Sequence, residues 1–119
     1  MIRLLPVPPD RLPAFCRGKG LDPSGVTAYA AWQGERLLGW CAIGEGDPCP
    51  VLGLEAEDAS LADGLLRAAL FPRYRQGAKG YRFRRPPACP LPKGYTTAGE
   101  GALALLFAPC DQREEKSHE

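Results

Sequence analysis

Five thiols, Cys16, Cys41, Cys49, Cys89 and Cys110, are the most reactive side chains in this sequence. Cys41, Cys49, Cys89 and Cys110 could ligate zinc as thiolates, but they lack the paired C-x-x-C spacing of such sites. The only histidine, His118, lies in a polar tail, so no metal site is assigned. An odd number of cysteines without a secretory leader points instead to reduced thiols and a cytoplasmic location, with Cys41, inside an apolar run, reading as core. Arg73, Arg75, Lys79, Arg82, Arg84 and Arg85 form a basic run with Tyr74, Tyr81 and Phe83 among them, a composition able to hold phosphates and stack bases. Around the strand, however, the aromatics alternate with the arginines and face the other side, which suits a core face and a solvated face and argues against nucleic acid. Asp47, Glu55, Glu57, Asp58 and Asp63 make the preceding segment acidic. Ser60, Leu61, Ala62 and Asp63 open a helix, where free amides attract anions unless the Ser60 hydroxyl already takes one as a cap.

The element that must position these groups runs from Val51 to Phe83 and reads as strand, turn, amphipathic helix, glycine stop and strand. Val51, Leu52 and Leu54 form an apolar run that ends in the acidic turn. Ser60 with Asp63 three residues on makes a capping-box pattern, which predicts a helix start near Leu61. Leu61, Leu65, Leu66, Ala69 and Leu70 recur at helical spacing and give one apolar stripe to lay on a sheet. Pro72 lacks an amide and its ring crowds the carbonyl of Ala68, which predicts a kink or short break. Gly77 is placed for a left-handed helix stop, and Tyr81 to Arg84 then alternate as a strand.

The chain of 119 residues carries 15 basic and 14 acidic side chains, so no global field draws it to nucleic acid or to a membrane surface. Its size suits one domain, expected over residues 1–110, with a polar, disordered tail over 111–119. No apolar run approaches the roughly 20 residues of a membrane span, so a soluble protein without membrane contact is expected. Ile2 to Leu5 reads as a first strand, and Pro9 to Arg17 as a weak helix interrupted by Pro13. Val26 to Trp32 and Arg36 to Ile43 read as a hairpin turning at Gln33 to Glu35, with Trp32 and Trp40 flanking the turn as packing or groove-lining aromatics. Gly44 to Pro50 returns the chain into the strand at Val51. PPACPLPKG, after Arg85, must be loop. Tyr95 to Ala98 and Leu103 to Phe107 read as two final strands. The expected class is α+β, with a mixed, mostly antiparallel central sheet and flanking helices.

That order resembles the GNAT-type N-acetyltransferase superfamily over most of residues 26–107. AWQGERLLGWCAIGEG is similar to the family's second and third strands, LLRAALFPRYRQGAKGYRF to its central helix and fifth strand, and KGYTTAGEG to its sixth strand. The resemblance implies an acyl-CoA N-acyltransferase-like fold, acetyl-CoA as cofactor and a small-molecule amine as acceptor. It places a general base at Glu55, where the fourth strand ends, and offers Tyr95 as the acid. The pantetheine arm would pair with the backbone at Leu54, Glu55 and Ala56, and the pyrophosphate would sit on the amides of Ser60, Leu61, Ala62, Asp63 and Gly64. Glu55 also reads as a solvated strand-end carboxylate, and Tyr95 as an aromatic that closes the core.

The sequence departs from the family where the cofactor should bind. Between Leu54 and Leu65 stand only EAEDASLADG, shorter than the family's pyrophosphate loop, with no basic residue and only Gly64. Glu57, Asp58 and Asp63 put carboxylates where phosphates should lie, and like charges at about 4 Å repel by roughly 1 to 4 kcal/mol each at effective dielectrics of 80 to 20. PPACPLPKG stands where active members carry a helix whose tyrosine protonates the leaving thiolate. A GNAT-like domain with weakened or lost acetyl-CoA binding, serving as a small-ligand or partner-binding domain, is therefore expected. The alternative is an active N-acetyltransferase moving an acyl group from acyl-CoA to an amine.

Overall fold

The computed structural model describes residues 1–107, in the order β1 (Ile2–Pro6), α1 (Leu12–Gly18), β2 (Thr27–Gln33), β3 (Arg36–Ile43), β4 (Cys49–Ala56), α2 (Ala59–Arg75), β5 (Gly80–Phe83) and β6 (Glu100–Ala102). The strands lie side by side in sequence order in one sheet. All neighbours are antiparallel except β4 and β5, which run parallel because α2 carries the chain back across the sheet. The class is α+β with a six-stranded mixed sheet. The tail and Cys110 lie outside the described residues.

Each face of the sheet has its own helix and its own apolar cluster. On one face Ala62, Leu65, Leu66, Ala69 and Leu70 of α2 pack on Ala31, Leu38, Cys41, Val51 and Leu54. Burying each of those leucines is worth about 1.5–3 kcal/mol. On the other face Cys16 of α1 packs with Val26, Ala28, Trp40 and Ala42, and Phe15 and Leu52 cover them in part. The hairpin turns after Gln33 as expected, with Gly34 at a left-handed φ of +61°.

Local chemistry changes the expected boundaries. Helix α2 is capped by Asp58, whose carboxylate accepts the Leu61 amide at 2.8 Å, and not by Ser60. The helix begins two residues before the expected start at Leu61, because an extended residue with an acceptor side chain was already available at Asp58. It also continues through Pro72 to Arg75, without the expected break. Its end is a Schellman turn: the Gly77 amide bonds the Tyr74 carbonyl, the Ala78 amide bonds that of Arg73, and Gly77 takes φ of +102°.

The two strands expected at the end of the described chain are corrected. Tyr95 to Ala98 is not a strand, since its backbone and side chains are engaged elsewhere: the Thr96 amide bonds the Tyr81 hydroxyl at 2.9 Å. Among the described residues the last strand is β6, and residues 104–107 are helical. Leu103, Leu106 and Phe107 are buried while Ala104 and Leu105 are exposed, an i, i+3, i+4 spacing that belongs to a helix.

Candidate functional site

A bulge in β4 decides where this sheet opens. Ala42 of β3 pairs with Gly53 and the next residue, Ile43, with Val51, so Leu52 is the extra residue and β4 bends there. β4 keeps its parallel partner only over Cys49, Pro50 and Val51, opposite Tyr81, Arg82 and Phe83. Beyond Val51 the two strands part.

The chain itself fills the gap. The Arg84 amide bonds the Val51 carbonyl at 2.8 Å, Arg85 Nε bonds the Leu52 carbonyl at 2.8 Å, and the Ala88 amide bonds the Leu54 carbonyl at 3.2 Å. Burial pushes the Cys89 thiol up, and a backbone hydrogen bond from Ala56 pulls against that shift. Pro86 and Pro87 fix their own φ and have no amides to leave unpaired. Residues 84–89 thus take the hydrogen-bonding positions along β4 from Leu52 to Ala56, including the Leu54 and Ala56 backbone on which an added strand would depend.

Beside this cap lies a cleft of about 350 Å³ lined by Lys19, Trp40, Gly53, Glu55, Arg85 and Pro86, among others. Trp40 is its buried floor. Opposite it in register is Glu55, which accepts the Trp40 Nε1 hydrogen. Phe15 meets the indole edge-on at 5.8 Å between centroids, and Lys19 Nζ stands 5.5 Å from the Trp40 ring centroid. Gly53 makes room: a Cβ there would come within 2.5 Å of Trp40 Cη2. Arg85 also donates to the Lys19 carbonyl at 3.5 Å, which ties the cap to the end of α1. Among the described residues the ion pairs are Arg36 with Glu57 and Asp63 with Arg67, so the Lys19, Arg85 and Glu55 charged groups line this cleft without forming a direct ion pair.

Tyr95 is elsewhere. It packs against the cluster under α2, with its ring 6.4 Å from that of Tyr81, and donates its hydroxyl to Asp63 at 2.6 Å. Asp63 in turn pairs with Arg67 at 3.0 Å, and Arg67 bonds the Leu106 carbonyl at 2.8 Å. Burial, then the Asp63 hydrogen bond, pushes the Tyr95 hydroxyl above its ordinary range. Glu55 bonds Trp40, which belongs to the cluster on the α1 face, so the expected base and acid are not brought together.

The amides at the α2 start are largely used. Leu61 gives its amide to the Asp58 carboxylate, and Ala62 bonds the Asp58 carbonyl at 3.1 Å. Ser60, Leu61 and Gly64 line a groove of about 290 Å³ together with Glu57 and Asp58, and Ala62 is fully buried. Asp63, whose carboxylate holds Tyr95 and Arg67, adds a further negative charge on the same turn.

The thiols and the basic run take separate places. Cys16, Cys41 and Cys49 are buried and Cys89 half-buried, all as free thiols. Burial raises Cys41 and Cys49, with the Arg73 guanidinium beside Cys49 pulling it down. Tyr81 and Phe83 face the core while Arg82 is exposed, and Arg85 belongs to the cleft. Trp32, the other expected groove aromatic, lines a different groove near β1. Lys19 and Ala88 were not singled out from the sequence, and Arg85 only within the basic run weighed for nucleic acid; the proline-rich RRPPAC segment after β5 was the available signal. No protein-family model, curated protein or solved structure matches this chain.

Proposed function

We propose that this protein is a GNAT-like domain that has given up ordinary acetyl-CoA binding and holds a small ligand in the cleft between the end of α1 and the bent part of β4. The observation that carries this reading is the self-capped edge: the carbonyl of Leu54, where a pantetheine arm would pair, already accepts the Ala88 amide. Acetyl-CoA would have to displace residues 84–89, and its phosphates would then meet the Asp58 carboxylate beside Glu57 and Asp63, whose own charges are already held by Arg36 and Arg67, with no basic residue between Leu54 and Leu65 left to receive them.

The cleft asks for a different ligand. Lys19 and Arg85 supply positive charge for a carboxylate or other small anion, while Glu55 offers its carboxylate to an ammonium or amide donor. A compact molecule bearing both kinds of group, such as a small amine that also carries an anion, satisfies the two sides at once. Glu55 acts here as a binding group oriented by Trp40, and Tyr95 as a structural one.

Isothermal titration separates the two readings. Acetyl-CoA should give no heat at millimolar concentration, whereas a dissociation constant tighter than about 10 μM, roughly 7 kcal/mol of binding, would return Glu55 to a catalytic role. Indole emission from a Trp32→Phe variant, in which only Trp40 reports, should respond to small zwitterionic amines such as glycine more than to acetate or methylammonium alone.

A further inference from the structure

The charged groups of the cleft are anchored, and each keeps bonding capacity to spare. Glu55 accepts the Trp40 Nε1 hydrogen on Oε2, which leaves Oε1 without a partner among the described residues. Arg85 donates Nε to the Leu52 carbonyl at 2.8 Å and Nη2 to the Lys19 carbonyl at 3.5 Å. Its guanidinium is thereby fixed in place, with both Nη1 hydrogens left for an acceptor. Lys19 Nζ stands 5.5 Å from the Trp40 ring centroid and 5.7 Å from that of Phe15, with no carboxylate beside it.

These groups sit at two distances from Glu55. Lys19 and Glu55 meet on one indole, so a short ligand can bridge them. Arg85 is farther off. Its Nε is anchored at Leu52, and the run of β4 from Leu52 to Glu55, at about 3.3 Å per residue, sets the two groups about 10 Å apart. Between them the lining is Gly53, Leu54, Pro86, Ala88 and the Trp40 ring, whose one donor is already given to Glu55. The middle of the cleft therefore has no side-chain hydrogen-bonding group to offer.

Resting on the cleft reading above, we propose that the ligand is an ω-amino acid, with its ammonium on Glu55, its carboxylate on Arg85 and a short run of methylenes over Trp40 and Gly53. A hydrogen bond of about 2.8 Å at either end leaves roughly 5 Å between the ligand nitrogen and oxygen. In an α-amino acid the two groups share one carbon and lie only about 3 Å apart, so glycine reaches Glu55 and Lys19 but not Arg85. The chains of γ-aminobutyrate and δ-aminovalerate are long enough. Lys19, on a flexible stem, can follow the carboxylate in either case. Methylenes suit the middle of the cleft because they gain by leaving water, whereas a peptide bond there would give up its water partners for none in the lining.

Isothermal titration of the full chain with glycine, β-alanine, γ-aminobutyrate, δ-aminovalerate and ω-aminooctanoate measures the spacing. Affinity should peak at γ-aminobutyrate or δ-aminovalerate, at least about tenfold above glycine as one added charge-assisted pair provides, and fall again at ω-aminooctanoate. Glycylglycine matches δ-aminovalerate in length but carries a peptide bond in the middle, and it should bind more weakly. Arg85→Met should abolish the preference for length, and Lys19→Met should weaken every member while keeping their order. The series in the unaltered protein decides the matter even if the Arg85 variant loosens residues 84–89. Equal affinities along the series, or a steady rise to ω-aminooctanoate as plain hydrophobic contact would give, would overturn the spacing and leave the cleft reading intact. Glycylglycine binding more tightly than δ-aminovalerate would overturn the methylene spacer. Heat from none of them, glycine included, would remove the cleft reading and this inference together.

Discussion

Tyr95 gives its hydroxyl proton to a hydrogen bond with Asp63 at 2.6 Å, and both burial and that carboxylate oppose its ionisation. The unfolded chain releases this proton near pH 10, whereas the folded chain retains it to higher pH. The raised folded pKa means that the contribution to stability is fully present below about pH 10 and declines as pH rises beyond it. Ultraviolet titration should therefore show one tyrosine ionising late, and Tyr95→Phe should remove that late component. The same variant should cost about 1 kcal/mol in urea unfolding, since Asp63 loses one partner but keeps Arg67. Thiol accessibility follows burial in the same way. In the folded protein Cys89 should react with a thiol reagent before Cys16, Cys41 and Cys49, and denaturation should release all five thiols of the sequence. A total below five would contradict the reduced state expected from the odd cysteine count.

At the scale of elements, the crossover unit was legible because its signals are local and periodic. The stripe from Leu61 to Leu70 and the glycine stop at Gly77 specify α2 and its end without tertiary help. Its start was misjudged by two residues because Asp58 and Ser60 are both good caps, and only the backbone conformation, with Asp58 extended at φ −149°, selects between them. Asp58→Ala should accordingly cost about 1 kcal/mol, and Ser60→Ala only a few tenths. Leu103 to Phe107 fooled a strand reading because a short apolar run fits either period, and burial at Leu103, Leu106 and Phe107 shows the helical one. The cleft was less legible still. Lys19, Trp40 and Arg85 come from three separate elements, and nothing in their spacing links them. One glycine marks the same site indirectly: a Cβ on Gly53 would strike Trp40, whereas one on Gly39 would lie on the α2 face, 2.6 Å from the Glu55 carbonyl oxygen and 3.1 Å from Leu65 Cδ1. Gly39→Ala and Gly53→Ala should each destabilise by about 1–3 kcal/mol through overpacking, and Gly53→Ala should also shift Trp40 fluorescence.

For the molecule as a whole, the strand order and the parallel join of β4 and β5 create an opening that this sequence closes with its own residues 84–89. The gap beside β4 is closed by residues 84–89 and leaves a charged cleft beside it, whereas β1 at the far edge is exposed along its length. Native-state amide exchange tests the seal directly, because the Arg84 and Ala88 amides are bonded to the Val51 and Leu54 carbonyls at 2.8 and 3.2 Å. Both amides should exchange at least about tenfold more slowly than in an unfolded chain. Their rates should not change when acetyl-CoA is added to about 1 mM, a concentration at which even 4 kcal/mol of binding would register. Free exchange at Ala88 in the unliganded protein, or release of its amide on adding acetyl-CoA, would contradict a self-capped β4 edge.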